Sequence, residues 1–257
     1  MTDPDPTSSA PDPRDAAGDP LRAAAETMHA VRDRCVWTQR IDHRALVPYL
    51  VEESAELIDA VESGTRAELR EELGDLLWQV LFHAEIASRD PDDPFDVDDV
   101  ARGLTDKMVR RHPHVFAGEV AETPEQVLVL WNAAKAHEKR TRTSVLDGVS
   151  ERMPTLALAQ KVVGKAALAG VDVSSRFARS TTDDEDAWSL SEPPGRDETP
   201  VPQSESELGA ALLALVATAR ARGWDAERAL RERLRALAAD IRSAESAAGS
   251  GDAAGSG

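Results

Sequence analysis

Leu46, Leu50, Glu53, Leu57 and Val61 follow one another at intervals of three or four residues, which puts them on one face of a helix. The spacing predicts a helix over 45–63 that Gly64 closes. Thr65-x-x-Glu68 then has the form of a capping box, so a second helix is expected over 66–89, and the short turn makes the two an antiparallel hairpin. Asp96-x-x-Asp99, after the loop between Pro91 and Pro94, opens a third helix that runs to Arg111 and is stopped by Pro113. Thr123-Pro124-x-Gln126 combines an N-cap, a first-turn proline and a reach-back glutamine, predicting a helix through Trp131 to about Lys139. With 21–34 and 155–169 this makes about six helices, and two more are expected over 207–222 and 225–245, around Gly223. No stretch sustains the period-two alternation of a strand, so the fold class is all-α, a helical bundle.

Composition divides the chain. Residues 1–19 and 174–206 are rich in Pro, Asp, Ser and Glu without periodicity and are expected to be disordered, as is the 247–257 tail. That leaves a main helical domain over 20–173 and a helical hairpin over 207–246. The net charge of −17, from 47 acidic and 30 basic residues, argues against stable nucleic-acid binding. A polyanionic partner then needs a local basic patch or bridging cations. Cys35 is the single cysteine, which excludes an internal disulfide. The longest apolar run, Ala210 to Ala219, is too short for a membrane span, and the acidic N-terminus is unlike a signal sequence, so a cytoplasmic protein without membrane contact is expected.

Charge becomes informative on the hairpin. Glu53 sits inside the apolar stripe with Glu56 three residues on, and on the return helix Glu72 lies between Leu69 and Leu76 with Asp75 three residues on. Four carboxylates can converge between the two helices, where unpaired charges repel and lose hydration unless they protonate or bind a cation. Oxygen-only ligands select a hard cation, Mg²⁺ above all, with Mn²⁺ as a substitute. Either acid pair alone reads more readily as a solvated face than as a metal site; it is the two pairs facing each other across a capped turn that favour a metal. A ferritin-like di-iron site is the competing metal reading, but it uses Glu-x-x-His, which neither pair contains. Lys107 and Arg111, four apart on the third helix, offer two cations on one face for phosphate oxygens; an ordinary basic surface has the same spacing. Trp131 and Lys135 repeat the interval and set a stacking plane beside a cation. His83, His112 and His114 read as packing or capping groups.

The tail carries a faint echo of this unit. Glu207-Leu208-Gly209-Ala210-Ala211-Leu212-Leu213 parallels Glu72-Leu73-Gly74-Asp75-Leu76-Leu77, with Ala210 in the place of Asp75. Continuing the match sets Ala236 opposite Lys107 and Asp240 opposite Arg111, so the second unit lacks the chemical groups of the first.

Taken together, Glu52-Glu53-x-x-Glu56 and Glu72-x-x-Asp75 resemble the defining motif of the MazG nucleoside triphosphate pyrophosphohydrolases. Leu50-Val51-Glu52-Glu53, Phe82-His83-Ala84, Arg110-Arg111-His112-Pro113-His114-Val115-Phe116, Leu146-Asp147-Gly148-Val149 and Ala159-Gln160-Lys161 extend the resemblance over residues 20 to about 172. It implies the all-α NTP pyrophosphatase fold, a homodimer, and magnesium-dependent cleavage of nucleoside triphosphates between the α and β phosphates, clearing noncanonical or damaged nucleotides. It also implies Glu53, Glu56, Glu72 and Asp75 as metal ligands, Glu52 and Glu53 as catalytic acids, and Lys107, Arg110, Arg111, Trp131 and Lys135 as nucleotide-binding residues. Where the family often has Cys-Pro-Trp-Asp this chain has Cys35-Val36-Trp37-Thr38, so no role for Trp37 near the base is carried over. dUTPase-like and phosphoribosyl-ATP hydrolases share the acid motif. A nucleotide-binding module without turnover and a purely structural bundle are the readings outside the enzyme class.

Overall fold

The computed structural model describes residues 18–138, 140, 142–171, 173 and 201–253, with side chains placed as far as 246. Most of the segments expected to be disordered, 1–17, 174–200 and 254–257, lies outside the described residues. The described residues contain helices and no strand. They are α1 (Pro20–Arg34), a 3₁₀ turn (Thr38–Arg40), α2 (Val47–Ser63), α3 (Arg66–Ala87), α4 (Val97–Arg111), α5 (Pro113–Phe116), α6 (Pro124–Glu138), α7 (Thr155–Leu168), α8 (Glu205–Ala221) and α9 (Ala226–Ala253).

The punctuation acts as its chemistry requires. The Thr65 hydroxyl accepts the Glu68 N–H, and the Glu68 carboxylate reaches back to the Thr65 N–H at 2.6 Å. Asp96 and Asp99 make the same reciprocal pair at the start of α4, and Thr123 with Gln126 does so at α6. Gly64 ends α2 for a steric reason. Its φ of −87° is open to any residue, but a Cβ there would come within 2.7 Å of the Ala60 Cα. Pro113 does more than stop α4: with no N–H to satisfy it starts the short α5 after a one-residue break at His112. α9 continues to Ala253, beyond the end near 245 that composition suggests.

The chain divides into two compact units, one ending at Glu138 and one starting at Lys139. In the first, α2 packs on α3, α1 and α4 flank α3, and α5 and α6 pack on α4. Its core is Met28 from α1, Leu46 ahead of α2, and Leu81 and Phe82 from α3, surrounded by Ala24, Val31, Ile41, Trp78 and Ile86. These residues hold the second half of α3. Arg89 reinforces that end, with Nη2 2.6 Å from both Asp33 of α1 and Glu85 of α3. The half of the hairpin near its turn is different, because Val61 and Leu73 stand more than half exposed there.

In the second unit α7 packs on both α8 and α9. The Gln160 side chain clamps the turn between the tail helices, donating to the Trp224 carbonyl at 2.8 Å and accepting the Ala226 N–H at 3.0 Å. The compact-unit boundary therefore falls at 138/139, whereas the compositional boundary stands at 173. Composition marks where a segment stops burying apolar area; it does not say which neighbour a helix buries against.

Loss of the cap at the hairpin turn tests this reading of local structure. Thr65→Ala is expected to lower the unfolding free energy of the first unit by about 1 kcal/mol, seen as a lower urea midpoint with an unchanged m-value.

Candidate functional site

The hairpin turn fixes the register of α2 against α3, and the register brings the acids together. Glu53 and Glu56 of α2 and Glu72 of α3 each offer an oxygen, and all three atoms lie within 4.8 Å of one another. Glu53 and Glu72 are half-buried, while Glu56 is exposed at the mouth. Asp75 lies outside this closest group, yet its charge is the strongest acting on Glu53 and also acts on Glu72. Glu52 points to solvent.

Burial is the first cause that pushes the Glu53 carboxyl above its ordinary range, followed by the charges of Asp75, Glu56 and Glu52. Glu72 moves the same way, through burial and then Glu56 and Asp75. The Glu72 Oε2 atom is shielded from solvent and has no hydrogen-bond partner. Among the described residues, no lysine, arginine or histidine forms an ion pair with Glu53, Glu56 or Glu72. Three clustered carboxylates, one of them with an unpaired buried oxygen, fit a hard cation and nothing softer, since no sulfur or imidazole belongs to the group.

The unmet polar groups continue down α3. Gln79 is fully buried with neither amide atom hydrogen-bonded, and the buried Nε2 of His83 is also unpaired. Glu72, Gln79 and His83 are spaced seven and four residues apart, which places them on one helix face. His83 stacks on His43 with ring centroids 5.1 Å apart and planes at 6°. The sequence passes Gln79 off as an ordinary helix polar; only its burial reveals it.

The basic and aromatic candidates sit on α4 and α6. The Arg111 guanidinium lies 5.1 Å above the Trp131 ring, and His112 meets the same ring edge-on at 5.1 Å. His112 is fixed in turn by donating Nδ1–H to the Met108 carbonyl at 2.7 Å, a packing role. Lys135 is one turn beyond Trp131 on α6, and Lys107 one turn before Arg111 on α4. Arg110 and Arg111 both turn to Glu138, at 3.5 Å and 2.5 Å. The sequence reading overlooked Glu138. Its signal was available, because Trp131, Lys135 and Glu138 occupy i, i+4 and i+7 of one face.

Residues 41–116, which hold the whole acid cluster and the α4 cations, match the MazG nucleotide pyrophosphohydrolase domain. A Thermotoga maritima protein named nucleoside triphosphate pyrophosphohydrolase/pyrophosphatase MazG is 34% identical over 202 residues, 78% of this chain and 75% of that protein. A Mycobacterium tuberculosis nucleoside triphosphate pyrophosphohydrolase is 50% identical over 144 residues, 56% of this chain and 44% of its own length. A Streptomyces cacaoi protein without an assigned activity is 53% identical over 146 residues, 57% of this chain and 60% of its own. The chain thus spans about half the length of several curated relatives it matches.

The raised pKa of Glu53 carries a stability prediction whose sign is fixed. Below its unfolded value the group is protonated in both states and contributes nothing; as pH rises through the raised folded value, the full penalty of the buried charge appears. Without metal, Glu53→Gln is therefore expected to melt at a higher temperature than wild type at pH 8, with the gap closing toward pH 4. Millimolar Mg²⁺ should raise the wild-type midpoint at pH 8 and leave the variant nearly unmoved, as differential scanning fluorimetry would read.

Proposed function

The chain belongs to the MazG nucleoside triphosphate pyrophosphohydrolase family, and from that premise we propose that its first unit hydrolyses nucleoside triphosphates between the α and β phosphates, releasing a nucleoside monophosphate and pyrophosphate. The observation that carries this reading is the Glu53–Glu56–Glu72 group within 4.8 Å, with an unpaired oxygen on Glu72, and with burial and then like charge raising the pKa of Glu53 and Glu72.

Glu53, Glu56 and Glu72 would hold Mg²⁺, or Mn²⁺ in its place, with Asp75 completing the set from the next turn of α3. Bound there, the cation would neutralise phosphoryl charge and polarise the reacting phosphorus. Burial and like charge favour the protonated forms of Glu53 and Glu72, so a cation bound there would compete with protons for their oxygens and binding would strengthen as pH rises. Glu52, at the solvent edge beside Glu53, is placed to orient and deprotonate attacking water. Lys107, Arg110 and Arg111 take phosphate oxygens from the α4 side, and Lys135 adds a cation next to Trp131, the stacking plane for the base. The acidic surface sets no barrier, since the substrate arrives as a magnesium complex.

The exposed apolar residues of the hairpin, Val51, Val61 and Leu73, support pairing of two copies as a homodimer. Among the described residues no helix is long and apolar enough to cross a membrane, and the reading is of a cytoplasmic enzyme that removes noncanonical or damaged nucleotides. Chemistry is assigned to the first unit alone, because the tail has Ala210 where α3 has Asp75.

Anion-exchange analysis of products from a panel of canonical, oxidised and deaminated triphosphates tests the reaction. Nucleoside monophosphate and pyrophosphate are expected, and diphosphate with inorganic phosphate would overturn it. Glu72→Gln should lower kcat/KM by about a thousandfold, in line with several kcal/mol of lost charge stabilisation. Magnesium-dependent binding with no turnover would favour the nucleotide-binding module instead.

A further inference from the structure

Glu138 has no part in the reading above, yet it holds two of the cations that reading needs. It is the last residue of α6, and its Oε2 accepts Arg111 Nη2 at 2.5 Å and Nε at 3.2 Å. Arg110 Nε stands 3.5 Å from its other oxygen. The Arg111 side chain is only 14% exposed, pinned between this carboxylate and the Trp131 ring. A carboxylate set against the Nε–Nη2 edge of a guanidinium occupies the position that two phosphate oxygens would take.

We propose that Glu138 is an intramolecular stand-in for a substrate phosphate, a counter-ion that occupies the Arg110–Arg111 seat in the empty enzyme and that the triphosphate displaces on binding. The proposal rests on the reading that Arg111 grips phosphate. Three features favour exchange over a permanent strut. The same Arg111 edge cannot hold a carboxylate and a phosphate at once. A polyphosphate brings several negative charges against one and wins the competition once seated. Glu138 also ends its helix, so its side chain can swing away without breaking a backbone bond ladder. Until it does, Arg111 keeps its orientation over Trp131, and the carboxylate offsets one of the two arginine charges. Glu138 thereby sets affinity, in proportion to the fraction of molecules with the seat open.

The sign of one mutation decides between this role and simple positioning. Isothermal titration of the full chain with inorganic tripolyphosphate and Mg²⁺ would compare wild type, Glu138→Gln, Glu138→Ala, Arg111→Gln and the double variant Arg111→Gln/Glu138→Gln. Both Glu138 variants are expected to bind about tenfold tighter or more, corresponding to a seat open in a tenth of molecules or fewer. Arg111→Gln should bind weaker, and the double variant should match it with no gain from the second change. If Arg111→Gln weakens binding while both Glu138 variants are unchanged or weaker, Glu138 orients the arginine and the stand-in role is wrong. If Arg111→Gln binds as wild type, the phosphate seat itself is misplaced, and the proposal falls with that part of the functional reading. Circular dichroism melts of each variant separate lost binding from lost folding.

Discussion

Everything in the first unit is arranged around mutual repulsion between carboxylates held on one helical seam. Glu53, Glu56 and Glu72 meet within 4.8 Å without a basic partner among the described residues, and burial and like charge lift Glu53 and Glu72 above the ordinary carboxyl range. A hairpin left to itself would splay to relieve this. It is kept closed by forces placed elsewhere: the Thr65–Glu68 capping box and the close Gly64–Ala60 approach at the turn, and the Met28–Leu46–Leu81–Phe82 core at the opposite end. On the proposed function, this repulsion would favour binding of a hard cation. A well-neutralised acid cluster would be more stable empty and correspondingly poorer at binding.

The positive side of the site faces the converse problem. Arg110 and Arg111 stand on a helix end with an aromatic ring beneath one of them, a position that needs a counter-charge whether or not substrate is present. Glu138 supplies it from the next helix. The pair of α4 and α6 thus contains its own occupant, while the pair of α2 and α3 has none. On the proposed function, the α4–α6 carboxylate would stand where a phosphate goes, whereas among the described residues no basic side chain pairs with the α2–α3 acids.

Much of the first unit was legible because its signals are local. Capping pairs at Thr65, Asp96 and Thr123 depend on residues three apart, and the acid pairs depend on residues three apart on the same helix, so spacing alone locates them. Glu138 and Gln79 escaped for the opposite reason. Glu138 acts on residues 27 and 28 positions away across a helix packing, and Gln79 is distinctive only through complete burial. Burial leaves no mark on neighbouring residues, and the shared face of Trp131, Lys135 and Glu138 does not name the arginines that Glu138 holds. The Gln160 clamp is similar: its motif was visible, but its partners at Trp224 and Ala226 lie beyond the low-complexity segment.

By itself, then, the sequence determined the long helices, the caps at Thr65, Asp96 and Thr123, the hairpin and the acid pairs on its two helices, since each follows from backbone hydrogen bonding and the 3.6-residue period. Only the tertiary structure decided which three carboxylates come closest, which cations are already engaged, and that α7 packs with the tail helices. Those outcomes depend on register and on which faces bury together, quantities summed over distant contacts that no local pattern encodes.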